Sequence, residues 1–503
     1  MLLNQETLRL VFGLKLRGLR LDRGYSLKVL SKKTGLSPSY LNEIEKGKKY
    51  PKTEKILLLA AALNEKMENL VSLELKKELQ LIQQLLDKKF LTGLPFDIFG
   101  IPTNTIFELL AEHPKKMQAL VGTLIEIARA HNIEVDDLLF ALLRSYLDMH
   151  NNYFPELEAS ATKARLEFGL DWQLPPEQLR KNLIRVLESN FKVSVQNQLD
   201  LKEFAPEFIG VDHFVLKKGQ QLFISNTLNV VDQVFILSRE LGYQFLKLKI
   251  RPVSSLTLQL DSFEQLFNFF SASYFAGSLL VPEELIKKDL QQFFLQKNWS
   301  HADFLNLTEK FCCNIECFFH RMTQVLPTHL ELGNLFFLRY EYDIANNRYQ
   351  IERELHLSLL HAPHKVKAHE HYCTRWLVHR LTQQKIKSTE SAAYNPAQNH
   401  IGIQRSSFVD SQNEYLILAA SYKKEALSPK VVCVCLGLLN NETLKKKVSF
   451  LEDKKIPKYE VGETCERCTL ENCTDRQAPL DPDINPQRFQ QIFNKIQQLD
   501  EQT

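Results

Sequence analysis

Apolar residues near the N-terminus recur at helical spacing. Leu10, Leu14, Leu16 and Leu19 predict one amphipathic helix. Ser26 then stands as an N-cap for a short helix through Thr34, and Gly35 supplies a tight turn. Ser37-Pro38 opens another helix, with Ser as N-cap and Pro at the first helical position, and it stops at Gly47. "TEKILLLAAAL", from Thr53, is apolar enough to be buried. Residues 64–160 read as helix almost throughout, broken at Gly93-Leu94-Pro95, with "TNTIFELLAEHP" and "MQALVGTLIEIARAH" spaced as packed amphipathic helices. From about Trp172 the pattern changes. "HFVLKKGQQLFISNTL" predicts two short strands around Lys218-Gly219, followed by a helix in "QVFILSRELGYQFL" and another in "FNFFSASYFAGSLLVP" that ends at Pro282.

Length and charge divide this pattern. At 503 residues the chain is expected to hold about three domains of roughly 150 residues. The formal net charge of +3 conceals an asymmetry. Residues 1–63 carry 13 Lys and Arg against 5 acids, a difference of +8, which leaves −5 for the remainder. A small basic unit on a mildly acidic body points to a polyanion-binding head. No uninterrupted apolar run reaches the ~18 residues that span a bilayer. The first 20 residues lack the apolar core and cleavage site of a signal peptide, so a cytoplasmic location and no membrane partner are expected.

Two short helices joined by a glycine turn and packed on longer ones form a helix-turn-helix arrangement. "SLKVLSKKTGLSPSYLNEIEKGKKYPKTEKILLLAAAL" resembles the Cro/repressor-type (XRE) helix-turn-helix family over about 60 residues. The resemblance implies that the second short helix enters the major groove of double-stranded DNA. By position, Ser37, Ser39, Tyr40 and Asn42 are the candidate base readers, and Lys46, Lys48 and Lys49 the candidate phosphate contacts, with Leu41 and Ile44 facing the core. A homodimer reading two half-sites is the expected assembly. The alternative for this segment is a basic helical domain that binds protein.

The helix around residue 240 poses a different question. An apolar helix bearing His-Glu-x-x-His holds zinc through two histidines one turn apart. Here the frame is Arg239-Glu240-Leu241-Gly242-Tyr243. The order strand, strand, helix, and helix ending "YFAGSLLVP" resembles the ImmA/IrrE metallopeptidase-like domains. The resemblance implies a kept fold and a lost metal site. Arg239 and Tyr243 replace the ligands, "FNFFSAS" lacks a carboxylate, and Glu240 becomes a structural or salt-bridged residue, paired with Arg239 or another cation.

Nine cysteines in so long a chain do not read as a disulfide framework. Cys465, Cys468 and Cys473 in "GETCERCTLENCTDR" have the spacing of metal ligands on a loop that apolar burial is not expected to order. Zinc and an iron–sulfur cluster both require a fourth ligand. Cys373, in "HEHYCTRWLVH", is the candidate. Cys312, Cys313 and Cys317 on an apolar helix, and Cys433 and Cys435 on a strand, read as core residues. His356, His361, His364, His369, His371 and His379 also cluster, with surface histidines the commoner explanation.

With "IANNRYQI" at 344–351, "CTRW" at 373–376 and "CERCTLENCTDRQAP" at 465–479, the chain as a whole resembles the short-chain fatty acyl-CoA regulators. The resemblance implies an acyl-CoA effector and an iron–sulfur cluster on these cysteines, with zinc as the alternative metal. The expected architecture is multidomain. An all-α helix-turn-helix head (1–70) and a helical connector or dimerisation region (71–165) lead to a degenerate metallopeptidase-like α+β domain (166–330) and a C-terminal α/β sensor domain (331–503). The expected function is a non-enzymatic transcription regulator controlled by a metabolite. The rival reading is a remnant metallopeptidase that acts as an interaction or repressor-cleaving factor.

Overall fold

The computed structural model describes residues 5–72, 100, 123, 126, 135–197, 200–201, 206–208, 210–216, 220–255, 262–357, 370–389, 400–409, 411, 413–423, 430–481 and 492–498. Apart from 123 and 126, which are helical, the helices expected over 103–131, the break at Gly93–Pro95, and His361, His364 and His369 lie outside the described residues. The chain divides into two compact units, Met1–Leu142 with Leu260–Glu264, and Leu143–Gln259 with Gln265–Thr503.

Among the described residues the first unit begins with helices α1 (Gln5–Asp22), α2 (Leu27–Thr34), α3 (Pro38–Glu45), α4 (Thr53–Leu63) and α5 (Met67–Val71). The caps act where the local sequence placed them. Ser26 Oγ accepts from Val29 N at 3.2 Å, and Ser37 Oγ accepts from Tyr40 N at 3.1 Å. Gly35 turns the chain at φ +71°, where a side chain would be strained. Phe12, Leu16, Leu30, Leu41, Ile44, Ile56, Leu59 and Leu63 make the core. α1 and α3 touch so closely that a Cβ on Gly13 would lie 2.5 Å from Ile44 O and 2.8 Å from Glu45 O.

The second unit is mixed. Helices α7 (Pro155–Phe168) and α8 (Pro176–Phe191) follow α6 (Val135–Met149). Strands β1 (Ser194–Gln196), β2 (His213–Leu216) and β3 (Gln221–Ile224) form a small sheet in the order β1-β3-β2, with β2 antiparallel and β1 parallel to β3. Helices α9 (Val230–Phe245), α10 (Phe263–Leu280), α11 (Glu283–Phe294), α12 (His301–Glu309) and α13 (Ile315–Leu330) follow. A buried ion cluster ties three of them. Glu158 on α7 accepts from Arg321 Nη1 at 2.7 Å, from Tyr274 Oη at 2.8 Å and from Ser278 Oγ. Burial opposes ionisation of Glu158, yet the fully buried Arg321 beside it holds the carboxyl below its ordinary range.

The larger sheet has six strands in the order β5-β4-β8-β7-β6-β9. They are β4 (Leu335–Asp343), β5 (Arg348–His356), β6 (His400–Phe408), β7 (Glu414–Tyr422), β8 (Lys430–Leu439) and β9 (Lys458–Val461). All neighbours are antiparallel except β6 and β9. "IANNRYQI" forms the β4–β5 turn and the start of β5, with Asp343 Oδ1 accepting from Ala345 N at 2.9 Å. Helix α14 (Leu377–Thr389) lies against β6, β7 and β8. Cys433 and Cys435 are buried in the core between them, with Trp376, Leu377 and Leu381. Of the three cysteines expected on a helix, only Cys317 lies within α13; Cys312 and Cys313 sit in the turn before it, buried. The Asn314 cap starts the helix later than the apolar run suggested, since its side chain accepts from Cys317 N at 2.8 Å. Among the described residues no helix is long and apolar enough to cross a membrane.

Candidate functional site

On the head, α3 presents Ser37, Ser39 and Asn42 to solvent, while Leu41 and Ile44 point into the core. The Ser37 hydroxyl is engaged as the α3 cap. Ser39 and Asn42, three positions apart, share one exposed helical face. Tyr40 is half-buried, with Lys55 Nζ 4.1 Å and Lys49 Nζ 5.8 Å from its ring centroid. Lys48 and Lys49 are exposed and Lys46 half-buried. Lys49 also pairs with Glu43 at 2.8 Å, an exposed pair that DNA phosphates would compete for. Sequence reasoning passed over Lys28, Lys32 and Lys33, exposed on and beside α2, and Lys55 over the Tyr40 ring. Their signal was the head's surplus of cations.

What fixes α3 was also missed. The Arg20 guanidinium grips the Glu45 carboxylate at 2.6 and 2.8 Å and donates to Tyr25 O at 2.7 Å. This buried fork ties α1 to the C-terminal end of α3, and the Glu45 bond holds the Arg20 pKa above its usual value.

The cysteine segment is strapped to the sheet. Tyr372 and Thr464 form an antiparallel bridge, Cys465 N donates to His371 O at 2.9 Å, and Trp376 Nε1 donates to Gly462 O at 2.9 Å. Cys373, Cys465 and Cys468 are buried, and Cys473 is half-buried. The expectation of a loop without burial is therefore corrected. β9 and the bridge pull the loop onto the Trp376 core, and Arg476 ties it further by donating to the carbonyls of Cys465 (2.6 Å), Cys468 and Leu470 (2.8 Å each). Burial pushes the Cys373 thiol up to about 11, and Cys465 and Cys468 lie near enough to add to the rise. Among the described residues no three His, Cys, Asp or Glu side chains form a metal-holding group. His371 pairs with Glu466 at 2.7 Å.

The Arg239–Tyr243 turn lies on α9, whose residues from Gln233 to Tyr243 are buried except for the half-buried Phe235. Glu240 pairs with Arg251 at 2.6 Å and accepts from Gln244 at 2.8 Å, so its cation is Arg251, not Arg239. Adjacent residues on a helix point about 100° apart, which turns Arg239 away from Glu240. Arg239 Nη2 instead meets His213 Nε2 at 2.9 Å, and its guanidinium faces Phe269 at 5.0 Å. Burial pushes the Tyr243 hydroxyl up to about 12.

No curated protein matches the chain. A solved structure of a Mycobacterium tuberculosis transcriptional regulator is similar over 68% of this chain and 94% of its own, at 17% identity and a TM-score of 0.46. Residues 16–70 match the family model described as Helix-turn-helix. The head of this chain is a helix-turn-helix domain.

Proposed function

We propose that the chain is a sequence-specific DNA-binding transcription regulator whose body senses a metabolite. The head carries this reading: a helix-turn-helix whose α3 exposes Ser39 and Asn42 on one face, with Lys48 and Lys49 beside it. DNA is the partner such a face fits, and a homodimer would place two faces on two half-sites. The body is read as a degenerate ImmA/IrrE-like domain and a sensor domain, of the short-chain fatty acyl-CoA regulator type, without enzymatic activity. The element order β2, β3, α9, α10 and the engagement of both Glu240 oxygens support that reading.

The thiols suit a metal centre in kind. Cys465 and Cys468 lie near Cys373, and Cys473, half-buried, follows five positions further along the same segment. A bound cation would hold the Cys373 thiol, which burial disfavours ionising, as a thiolate. The proposed centre is an iron–sulfur cluster, with zinc as the alternative, and an acyl-CoA is the proposed effector. Selection of random-sequence duplexes on the full chain tests the DNA reading. One enriched motif is expected, with discrimination lost in Asn42→Ala. Retention of no motif, or the same motif after removal of residues 1–70, would overturn it.

A further inference from the structure

We propose that the cleft over the Arg239–Tyr243 turn is an anion site, which takes a compact oxyanion, a carboxylate or phosphate group, on the guanidinium groups of Arg239 and Arg251. His213, Arg239, Glu240, Tyr243, Arg251 and Phe269 are among the residues that line it. Two guanidinium ions meet one carboxylate there. Arg251 gives Nη1 to Glu240 at 2.6 Å, and its side chain is only 7% exposed. Its Nη2 is buried and has no hydrogen-bond partner among the described residues. Arg239 is 9% exposed and has no carboxylate within ion-pair distance among the described residues. Asp212 and Glu240 act on it only at longer range, and Arg353 opposes its charge. Its nearest polar contact is the His213 nitrogen, which must accept, because a guanidinium only donates.

A buried cation without a counter-ion is costly, and native proteins pair such charges. One oxyanion would neutralise the surplus and satisfy the orphaned N–H of Arg251. Guanidinium forks match carboxylate and phosphate oxygens in pairs, which sets the ligand class. The cavity, about 10 Å³, has room for about one water-sized atom, so a single oxygen of the ligand reaches between the side chains and the rest of the oxyanion stays at the mouth. The site stands independently of the DNA-binding reading, because no residue of the head contributes to it.

Calorimetric titration of the full chain with sodium phosphate, and separately with sodium acetate, at an ionic strength held by chloride, tests the proposal. One saturable site per chain is expected for at least one of them. Phosphate alone, acetate alone, or both would each support the site and name its ligand. Arg239→Gln should abolish binding, and Arg251→Lys should weaken it at least tenfold. Glu240→Gln should tighten it, because Arg251 is released from its competing carboxylate; unfolding cannot produce that gain. Lys48→Ala with Lys49→Ala should leave it unchanged, which separates this site from phosphate contacts on the head. The proposal is overturned if neither anion binds saturably. It is equally overturned if binding disappears in the Lys48/Lys49 variant while Arg251→Lys retains it.

Discussion

Removing the Glu45 carboxylate should loosen the head more than any single lysine change. In Glu45→Ala the Arg20 side chain, 10% exposed, keeps its charge and its bond to Tyr25 O but loses two charge-assisted bonds of 2.6 and 2.8 Å. Breaking a buried pair from one side typically costs about 3–5 kcal/mol, chiefly because the remaining charge is stranded. At 1.4 kcal/mol per tenfold, this predicts amide exchange across α2 and α3 roughly 10²–10³·⁵ times faster. Hydrogen exchange read by mass spectrometry on the intact chain isolates the head from the second unit. The double variant Arg20→Met, Glu45→Leu removes both charges and fills similar volume, so most of the loss should return. A less than tenfold acceleration in Glu45→Ala, or a double variant as labile as the single one, would refute this assignment of α3's anchor.

Gly13→Ala should destabilise the head by about 1–3 kcal/mol, since its Cβ would meet Ile44 O at 2.5 Å; Gly18→Ala, with nothing within 4 Å, should stabilise it by about 1 kcal/mol. Thermal denaturation followed at the head by exchange distinguishes the two signs. Lys48→Ala should lower the log–log salt slope of DNA binding by about 0.9 per lost phosphate contact, whereas Ser39→Ala should relax base discrimination by about 1–3 kcal/mol. Burial opposes ionisation of Glu316, but the Arg339 guanidinium overrides it and holds the carboxyl well below 4.5. A depressed carboxyl stabilises the fold above its unfolded pKa, and the contribution is lost as pH falls through the folded value. Stability curves against pH should therefore show a shallower acid limb in Glu316→Gln. Anaerobically purified protein should contain iron and acid-labile sulfide, and Cys465→Ser should remove both; one zinc per chain would keep the centre but replace the cluster.

Short-range features of the fold were legible in the residue pattern. Ser26, Gly35 and Ser37-Pro38 act through hydrogen bonds and dihedrals within a few residues, and the structure places each at the helix end it predicted. Long-range pairings carried no such signal. Arg20 and Glu45 stand 25 residues apart, and only the packing of α1 on α3 brings them together. Arg251 lies in the loop beyond α9, where periodicity says nothing about its partner. The thiol segment misled for a related reason. Its own residues are polar, but its burial comes from the bridge between Tyr372 and Thr464, 92 positions apart in the chain.

The Arg239–Tyr243 turn gathers charged groups whose kinds limit the chemistry open to them. A catalytic metal polarises water, and a carboxylate beside it must have a free oxygen to take the proton. Both Glu240 oxygens are engaged, Oε2 by Arg251 at 2.6 Å and Oε1 by Gln244 at 2.8 Å. Guanidinium groups, always protonated, supply positive charge but neither a Lewis acid nor a deprotonable water. On the reading proposed above, the side chains at 239 and 251 suit this place to holding an anion rather than to breaking bonds. Histidines introduced at 239 and 243 would still leave Arg251 on the Glu240 carboxylate. The sensor role proposed above would require only binding there, since a ligand shifts an equilibrium by as much as it binds one state better than the other.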